Sequence, residues 1–282
     1  MSDLNRPEAG DRRLETADQK PHLSHTQLEK HAACPEAYRR AYIERERTPA
    51  GLRAATGIAA HQAAEENFRQ KIETHRDLPV DDIMDMAAAN FEAATADGVH
   101  LTRDEQRTGT TRSINAAKDR TIAIAKVLGA KVVKEYQPVL VEHKVRIPLP
   151  GPHDLLAVID LVDENDLVVD FKTRGFPGKA EDAHHSQQLT IYDAAFRCDT
   201  GRAPSGLRLE VLSGDVQIRR NKFTTERTDR DFAVLAARVN AFEAAVQTGV
   251  FPPAALGTWL CSPKWCPYWS TCPYVNGERR KD

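Results

Sequence analysis

Two apolar runs, Leu155 to Ile159 and Val168-Val169, each lead into an aspartate, Asp160 and Asp170, with a polar stretch from Asp163 to Asp166 between them. Such a pattern reads as a β-hairpin. Strand side chains alternate with period two, so Asp170 and Lys172 share one face. The length of the turn decides the rest. Three or five residues set Asp160 opposite Asp170, whereas two pair Asp160 with Val169 and turn Asp170 away. In the odd register two carboxylates face each other about 5 Å apart with a lysine one step along. Like charges so close repel unless a cation lies between them, so the pattern calls for a divalent metal.

A chain of 282 residues holds one sizeable domain with appendages, or two small ones. Its net charge of −2 excludes a protein that coats nucleic acid by bulk charge, but leaves room for a local basic groove. No stretch approaches the ~20 apolar residues of a membrane span. The charged segment from Ser2 to Lys20 lacks an apolar core and reads as a disordered tail, neither signal peptide nor anchor. Five cysteines is an odd count, and Cys261, Cys266 and Cys272 crowd together, which favours metal ligation in a reducing cytoplasm over a disulfide framework.

The period of the apolar residues divides the chain. Thr26-Gln27-Leu28-Glu29 fits a capping box that starts a helix running toward Cys34, and Pro35 suits the first turn of a second, Glu36 to about Arg47. A third helix, Leu52 to about Glu73, carries His61, Glu65, Phe68 and Ile72 on one face. Helices are expected over 81–96 and 103–128. From Val139 the period turns to two, giving a strand to Ile147, then the hairpin, then a helix over 180–197. Strands over 207–212 and 216–223, joined by a turn at Ser213-Gly214-Asp215, precede a last helix over 225–248. The fold class is α/β (α+β): a mixed sheet flanked by helices. The expected organisation is a tail (1–22), one domain (23–275) and a short tail (276–282). Within the domain, a helical part spans about 23–130, a sheet core about 135–223, and a helix with the cysteine-rich segment about 225–275.

Asp160 and Asp170 offer hard oxygen ligands that suit Mg²⁺ or Mn²⁺, and the Phe171 carbonyl can add another. Lys172 can orient or deprotonate a water and offset charge on a phosphate. Gln188 and Tyr192, four apart on a helix, share a face beside the core stripe of Leu189, Tyr192 and Phe196 and can position a phosphate or a metal-bound water. His61 is either a hydrogen-bonded core residue or a ligand that favours Mn²⁺, and Glu65, one turn on, a partner to it or a ligand to a second metal.

Gly57-x-x-x-His61, Ala157-Val158-Ile159-Asp160, Asp170-Phe171-Lys172 and Gln188-x-x-x-Tyr192, in this order, resemble the PD-(D/E)XK nuclease superfamily, over roughly residues 24–275. The pattern is most similar to the RecB-like branch, which includes the AddB helicase-nucleases and CRISPR adaptation nucleases. The resemblance implies a restriction-endonuclease-like core and metal-dependent DNA cleavage. It also implies His61, Asp160 and Asp170 as metal ligands, Lys172 as catalytic, and Gln188 and Tyr192 as substrate-positioning. Two positions depart from the pattern: Ala157 stands where glycine is common, and Ile159 rather than proline precedes Asp160.

Cys34 with Cys261, Cys266 and Cys272 resembles the iron–sulfur staple of that branch, implying a 4Fe–4S cluster that ties the two ends of the domain together. The spacing between Cys261 and Cys266 is wider than the family's pair, and a structural Zn²⁺ is the competing occupant. Cys198 reads as a buried thiol. Arg103, Arg107, Arg112, Lys118 and Arg120, with Arg219, Arg220 and Lys222, are candidate phosphate contacts or solvated faces. Trp259, Trp265 and Trp269 can stack on bases or shield the cluster.

The leading expectation is a nuclease, an exonuclease acting on DNA ends or single strands in recombination, repair or phage replication. A CRISPR-adaptation nuclease is a variant, and a catalytically silent DNA-binding scaffold the alternative. No Gly-x-x-x-x-Gly-Lys-Ser/Thr run is present, so any unwinding falls to a helicase or recombination partner.

Overall fold

The computed structural model describes residues 20–255 and 257–275. The expected N-terminal tail, up to residue 19, lies outside them, as does the C-terminal tail. A six-stranded mixed sheet forms the middle layer. Strand β3 (Asp154–Asp163) is its hub: β2 (Pro138–Ile147) runs antiparallel along one edge, and the other edge is shared. There β1 (His22–Ser24) pairs in parallel with 154–156, while β4 (Leu167–Arg174) pairs antiparallel at Leu161 and Val162. Strand β5 (Gly206–Ser213) lies parallel to β4, and β6 (Arg219–Thr225) closes the sheet antiparallel to β5.

The hairpin register sets Leu161 opposite Val169 and Val162 opposite Val168, so three residues, 164–166, form the turn. Asp163 accepts hydrogen bonds from the Asn165 and Leu167 amides at 2.9 Å, and Asp166 takes the left-handed conformation (φ 60°) that closes so tight a turn. The turn is odd in length. One further step along the register brings Asp160 opposite Asp170, and there the strands part.

Two helical layers cover the sheet. One side holds α1 (His25–Ala33), α8 (Gln187–Thr200) and α9 (Asp229–Thr248), against Leu155, Ala157, Ile159, Val162 and Val168. The other holds α3 (Leu52–Thr74), α4 (Val80–Thr95) and α6 (Thr110–Val127), against Val141, Leu161 and Val169. In β3 the residues facing the first layer are odd-numbered up to Ile159 and even-numbered at Val162. In β2 the same change falls between Val145 and Val141. The two strands change faces in step at Glu142 and Asp160, and Glu142 takes φ 48°, a conformation costly for a side-chain-bearing residue.

Several boundaries differ from expectation. The capping box that starts α1 is Ser24 with Gln27, two residues earlier than Thr26. The helix begun by Pro35 stops sooner, α2 (Pro35–Tyr38) widening into a π-type turn that ends at Ile43. A continuous helix over 103–128 is interrupted at Gly109 (φ 101°), leaving a short α5 (Arg103–Thr108) before α6. Likewise 180–197 splits into α7 (Ala180–His184) and α8, because Ser186 caps a fresh N-terminus by accepting the Leu189 amide. The last strand begins at Arg219 rather than 216, and α9 starts at Asp229, capped by Thr228. Ile72 is 36% exposed, since the face that α3 buries is an alanine stripe ending at Phe68. Cys198 is exposed, on the solvent side of α8. Strand β1 is too short to carry a period and was not expected. No helix among the described residues is long and apolar enough to cross a membrane.

Candidate active site

The site is built where β3 and β4 separate. Asp160 Oδ2 accepts the Phe171 amide at 2.9 Å, so its carboxylate fills the place a ladder partner would take. Asp160 Oδ1 accepts the Tyr192 hydroxyl at 2.6 Å. Tyr192 in turn accepts from Gln188 Nε2 at 2.7 Å, and Gln188 Oε1 accepts from Lys172 Nζ at 2.6 Å. Lys172 also donates to Asp170 Oδ1 at 2.8 Å. The line Lys172–Gln188–Tyr192–Asp160 therefore runs with every donor pointing the same way. Helical spacing makes it possible: Gln188 and Tyr192 lie one turn apart on α8, whose Leu189, Ile191 and Phe196 are buried in the core, each contributing about 2 kcal/mol on full burial.

From the opposite layer, His61 Nε2 lies 3.0 Å from Asp160 Oδ2 and His61 Nδ1 3.5 Å from Glu142 Oε1. Gly57, one turn earlier on α3, permits this approach: a Cβ there would meet Thr173 Oγ1 at 3.0 Å, which would hold the helix off β4. His61, Glu142 and Asp160 can each offer a ligand atom within 4.8 Å of the other two. Glu142 was not expected from the sequence. It lies across the β2–β3 ladder from Asp160, so the three acids Glu142, Asp160 and Asp170 stand side by side on three neighbouring strands. The available signal was its place inside an alternating strand; which residue it faces depends on a pairing 18 residues away.

Charge in the cluster is unbalanced. Burial alone would raise Asp160, but the charge and hydrogen bond of His61, together with Lys172, hold it below the usual carboxylate range. Burial pushes Asp170 up to about 6, reinforced by Asp160 and opposed by Lys172. Burial likewise lifts Glu142 to about 7. His61 would be depressed by burial, yet Asp160 and Glu142 outweigh it and hold the ring up to about 9. Asp170 Oδ2 and Glu142 Oε1 are buried without a hydrogen-bond partner. Burial, with Asp160 adding its like charge, drives two of the three carboxylates toward their protonated forms, a cost that a divalent cation between them would offset. The donor set of imidazole and carboxylates fits such an ion. Glu65, one turn from His61, pairs with Arg69 at 2.8 Å and borders the same cavity, of about 650 Å³.

A family model of the PD-(D/E)XK nuclease superfamily matches residues 22–273. The chain belongs to this superfamily. Asp170-Phe171-Lys172 fits the (D/E)XK run of the superfamily's name, and the mixed sheet between helices is its fold. Among solved structures, a candidate exonuclease from Eubacterium rectale gives a TM-score of 0.51 at 12% identity, over 91% of this chain and 92% of that one. LHK-Exo in complex with dAMP gives 0.29 at 14% identity, over 68% and 92%. The first likeness speaks for the fold alone and the second carries no argument. No curated protein sequence matches.

A second group of like side chains lies outside the sheet core. Cys34, Cys261, Cys266 and Cys272 line one cavity of about 380 Å³, between the end of α1 and the C-terminal coil. None of the four is in a disulfide, and Cys34 Sγ accepts the Ala254 amide at 3.3 Å. Burial, with the other three thiols adding, raises Cys266. No three of these sulfur atoms lie within 4.8 Å of one another.

The basic residues divide. Arg120 is buried and donates to the Gly214 and Arg174 carbonyls at 2.8 and 2.7 Å. Arg220 forks onto buried Glu210 and reaches Glu135, which also holds Lys222. Lys118 pairs with Glu92 and Arg107 with Asp104. Arg120 and Arg220 are therefore structural, because inward-facing cations are consumed by carbonyls and acids of the fold; Arg112 and Arg219 stay exposed. Trp259 and Trp265 are exposed and meet edge to face, while Trp269 Nε1 is buried without a partner.

Proposed function

We propose that this chain is a RecB-like, divalent-metal-dependent deoxyribonuclease, acting as an exonuclease on DNA ends or single strands. The observation that carries the reading is the convergence on Asp160: Tyr192, reached through Gln188 from Lys172, on one oxygen, and His61 and the Phe171 amide on the other. A scaffold with no chemistry to perform has no use for so costly a buried cluster.

Mg²⁺ or Mn²⁺, held by His61, Asp160, Asp170, the Phe171 carbonyl and Glu142, would polarise a phosphoryl oxygen and acidify a water. The imidazole favours Mn²⁺. Burial opposes the charge on Lys172, but Asp170 and Asp160 outweigh it and keep the amine protonated. Two of its three N–H groups go to Asp170 and Gln188, leaving the third for a water or a phosphoryl oxygen. Gln188 and Tyr192 fix that ammonium relative to Asp160 without adding charge. Lys172 and Gln188 border two cavities, of about 650 and 680 Å³, so a strand has room on either side of the lysine.

At the cysteines we read a 4Fe–4S cluster rather than zinc. A tetrahedral zinc site with ~2.3 Å bonds draws its sulfurs to about 3.8 Å of one another, whereas a cubane spreads its ligands wider. Such a cluster would tie α1 to the C-terminal coil; it has no part in the hydrolysis. Iron and sulfide analysis with a visible spectrum tests it, and zinc without iron in the purified protein overturns it.

For the nuclease, labelled single- and double-stranded DNA is incubated with the wild-type chain and Lys172→Ala under Mn²⁺, Mg²⁺ or EDTA. Metal-dependent degradation that vanishes in the variant is the expected result. Equal activity in both proteins would sink the assigned site.

A further inference from the structure

Arg227 lies in the link between β6 and α9, is 8% exposed, and uses all five of its N–H groups. Nε donates to Thr190 Oγ1 at 2.8 Å. Nη1 donates to Thr225 Oγ1 at 3.1 Å and to the Glu226 carbonyl at 3.0 Å. Nη2 donates to the Ala183 carbonyl at 2.9 Å and the Ser186 carbonyl at 2.8 Å. Every acceptor is a neutral oxygen. Among the described residues no carboxylate forms an ion pair with this guanidinium, unlike Arg40 and Arg120, the other buried arginines. Asp231 and Asp193 favour its charge without pairing with it; burying a cation with no bonded counter-ion is costly, and a purely structural role could be filled by an apolar side chain.

The acceptors say what is gained. Ala183 and Ser186 flank the break between α7 and α8, and Thr190 lies in the first turn of α8. Gln188 sits between the two anchors Ser186 and Thr190. A freshly started helix has free N–H groups and frayed ends, so the direction of its first turn is set by what holds it from outside. We propose that Arg227 is a positioning residue for the reaction, its rigid fork fixing the first turn of α8 so that Gln188 meets Lys172. The inference rests on the nuclease reading of the site and extends it by one residue that touches neither metal nor substrate. Lys cannot replace Arg there, because an ammonium has three donors and no plane.

The test is a double-mutant cycle on the full chain with Mn²⁺ and a labelled oligonucleotide. Arg227→Met and Arg227→Lys are each made alone and on a Gln188→Ala background. A misplacement near 1 Å costs about 10²-fold in rate, so each single variant should lose roughly 10- to 100-fold in kcat with KM within about twofold. On the Gln188→Ala background neither should cost further, because Gln188 is the group through which Arg227 acts. A loss that multiplies with that of Gln188→Ala, or wild-type turnover in Arg227→Met, overturns the proposal. If Arg227→Met does not fold, Arg227→Lys and Thr190→Val, which removes the Nε contact together with the Thr190 hydroxyl's own bond to the Ser186 carbonyl, decide by the same cycle.

Amide hydrogen exchange gives a readout independent of activity. The variants should lose protection at Thr190–Tyr192 while the C-terminal half of α9 keeps it; unchanged protection at Thr190–Tyr192 overturns the proposal. If the wild-type chain cleaves no DNA with any metal, the nuclease reading fails, and exchange alone judges the arginine.

Discussion

The carboxylate cluster and the cysteine cluster are both groups of side chains of the kinds that ligate metals, but the fold holds them in opposite ways. Asp160, Asp170 and Glu142 sit on adjacent strands of one sheet, and their contacts with His61, Lys172 and Tyr192 are in place with protein atoms alone. The four cysteines come from the end of α1 and from an irregular coil more than 220 residues later, and the two sides meet through isolated bonds, among them the Ala254 amide to Cys34 Sγ, the Glu36 amide to the Pro252 carbonyl, Arg40 to Thr271 Oγ1 and the Tyr268 hydroxyl to the Glu46 carbonyl. On the proposed reading a metal at the first cluster would be a reagent added to a finished frame, and at the second it would be part of the frame. Removing it should therefore affect rate in one case and stability in the other.

The largest separation is expected for Lys172→Ala. DNA turnover should fall by ~10³-fold, the scale for losing a preorganised charge donor. The melting temperature should move by only a few degrees, because Asp170, already held near 6 by burial, takes up a proton in place of the lost ammonium. Turnover assays beside thermal melts check it. Cys34→Ser or Cys272→Ser should do the reverse, stripping the bound metal and lowering the melting temperature by more than ~10 °C. A cysteine variant that melts like wild type while losing activity would erase the distinction between the clusters.

Within the carboxylate cluster, Glu142→Gln should weaken Mn²⁺ binding by roughly 10- to 100-fold in calorimetry, the loss usual on perturbing a ligand shell. Glu65→Gln should change it by less than about twofold. Equal effects would move the cation toward α3. Arg220→Gln should cost about 2 kcal/mol in denaturant unfolding, since it leaves the buried Glu210 carboxylate with the Tyr136 hydroxyl but no cation, and leave the salt dependence of DNA binding unchanged.

The smallest effect is a pH term at the edge of the sheet. Hydrogen bonds from Arg220 and then Lys222 hold Glu135 down to about 2, below its ordinary value of 4.5. A depressed carboxylate contributes stability that is present above pH 4.5 and is lost as pH falls through 2. The difference in melting temperature between wild type and Glu135→Gln should shrink over that window. A difference that persists to pH 2 would show that the pair is worth nothing electrostatically.

Much of this was legible from local pattern. The alternation of Asp170 and Lys172, the odd turn after Asp163 and the shared face of Gln188 and Tyr192 all depend on neighbours within a few residues. Pattern reading failed where the chain departs from period. It could not see that Gly109 and Ser186 would each end one helix and start another, since both residues are tolerated inside helical runs at modest cost. Nor could it see a three-residue strand, β1, whose place is fixed only by the edge of β3 that β4 leaves free.

The sequence by itself determined most of the elements, their order and, apart from Glu142, the candidate chemical residues on each. The tertiary structure decided which of them meet. Glu142 joins His61 and Asp160 because β2 and β3 turn over together at one rung. Arg227 reaches Ser186 because the link before α9 passes the break in the helices. Arg120 and Arg220 face inward, where carbonyls and Glu210 claim them. Each is a contact between residues far apart in the chain, set by strand pairing and layer packing, for which one-dimensional periodicity carries no signal.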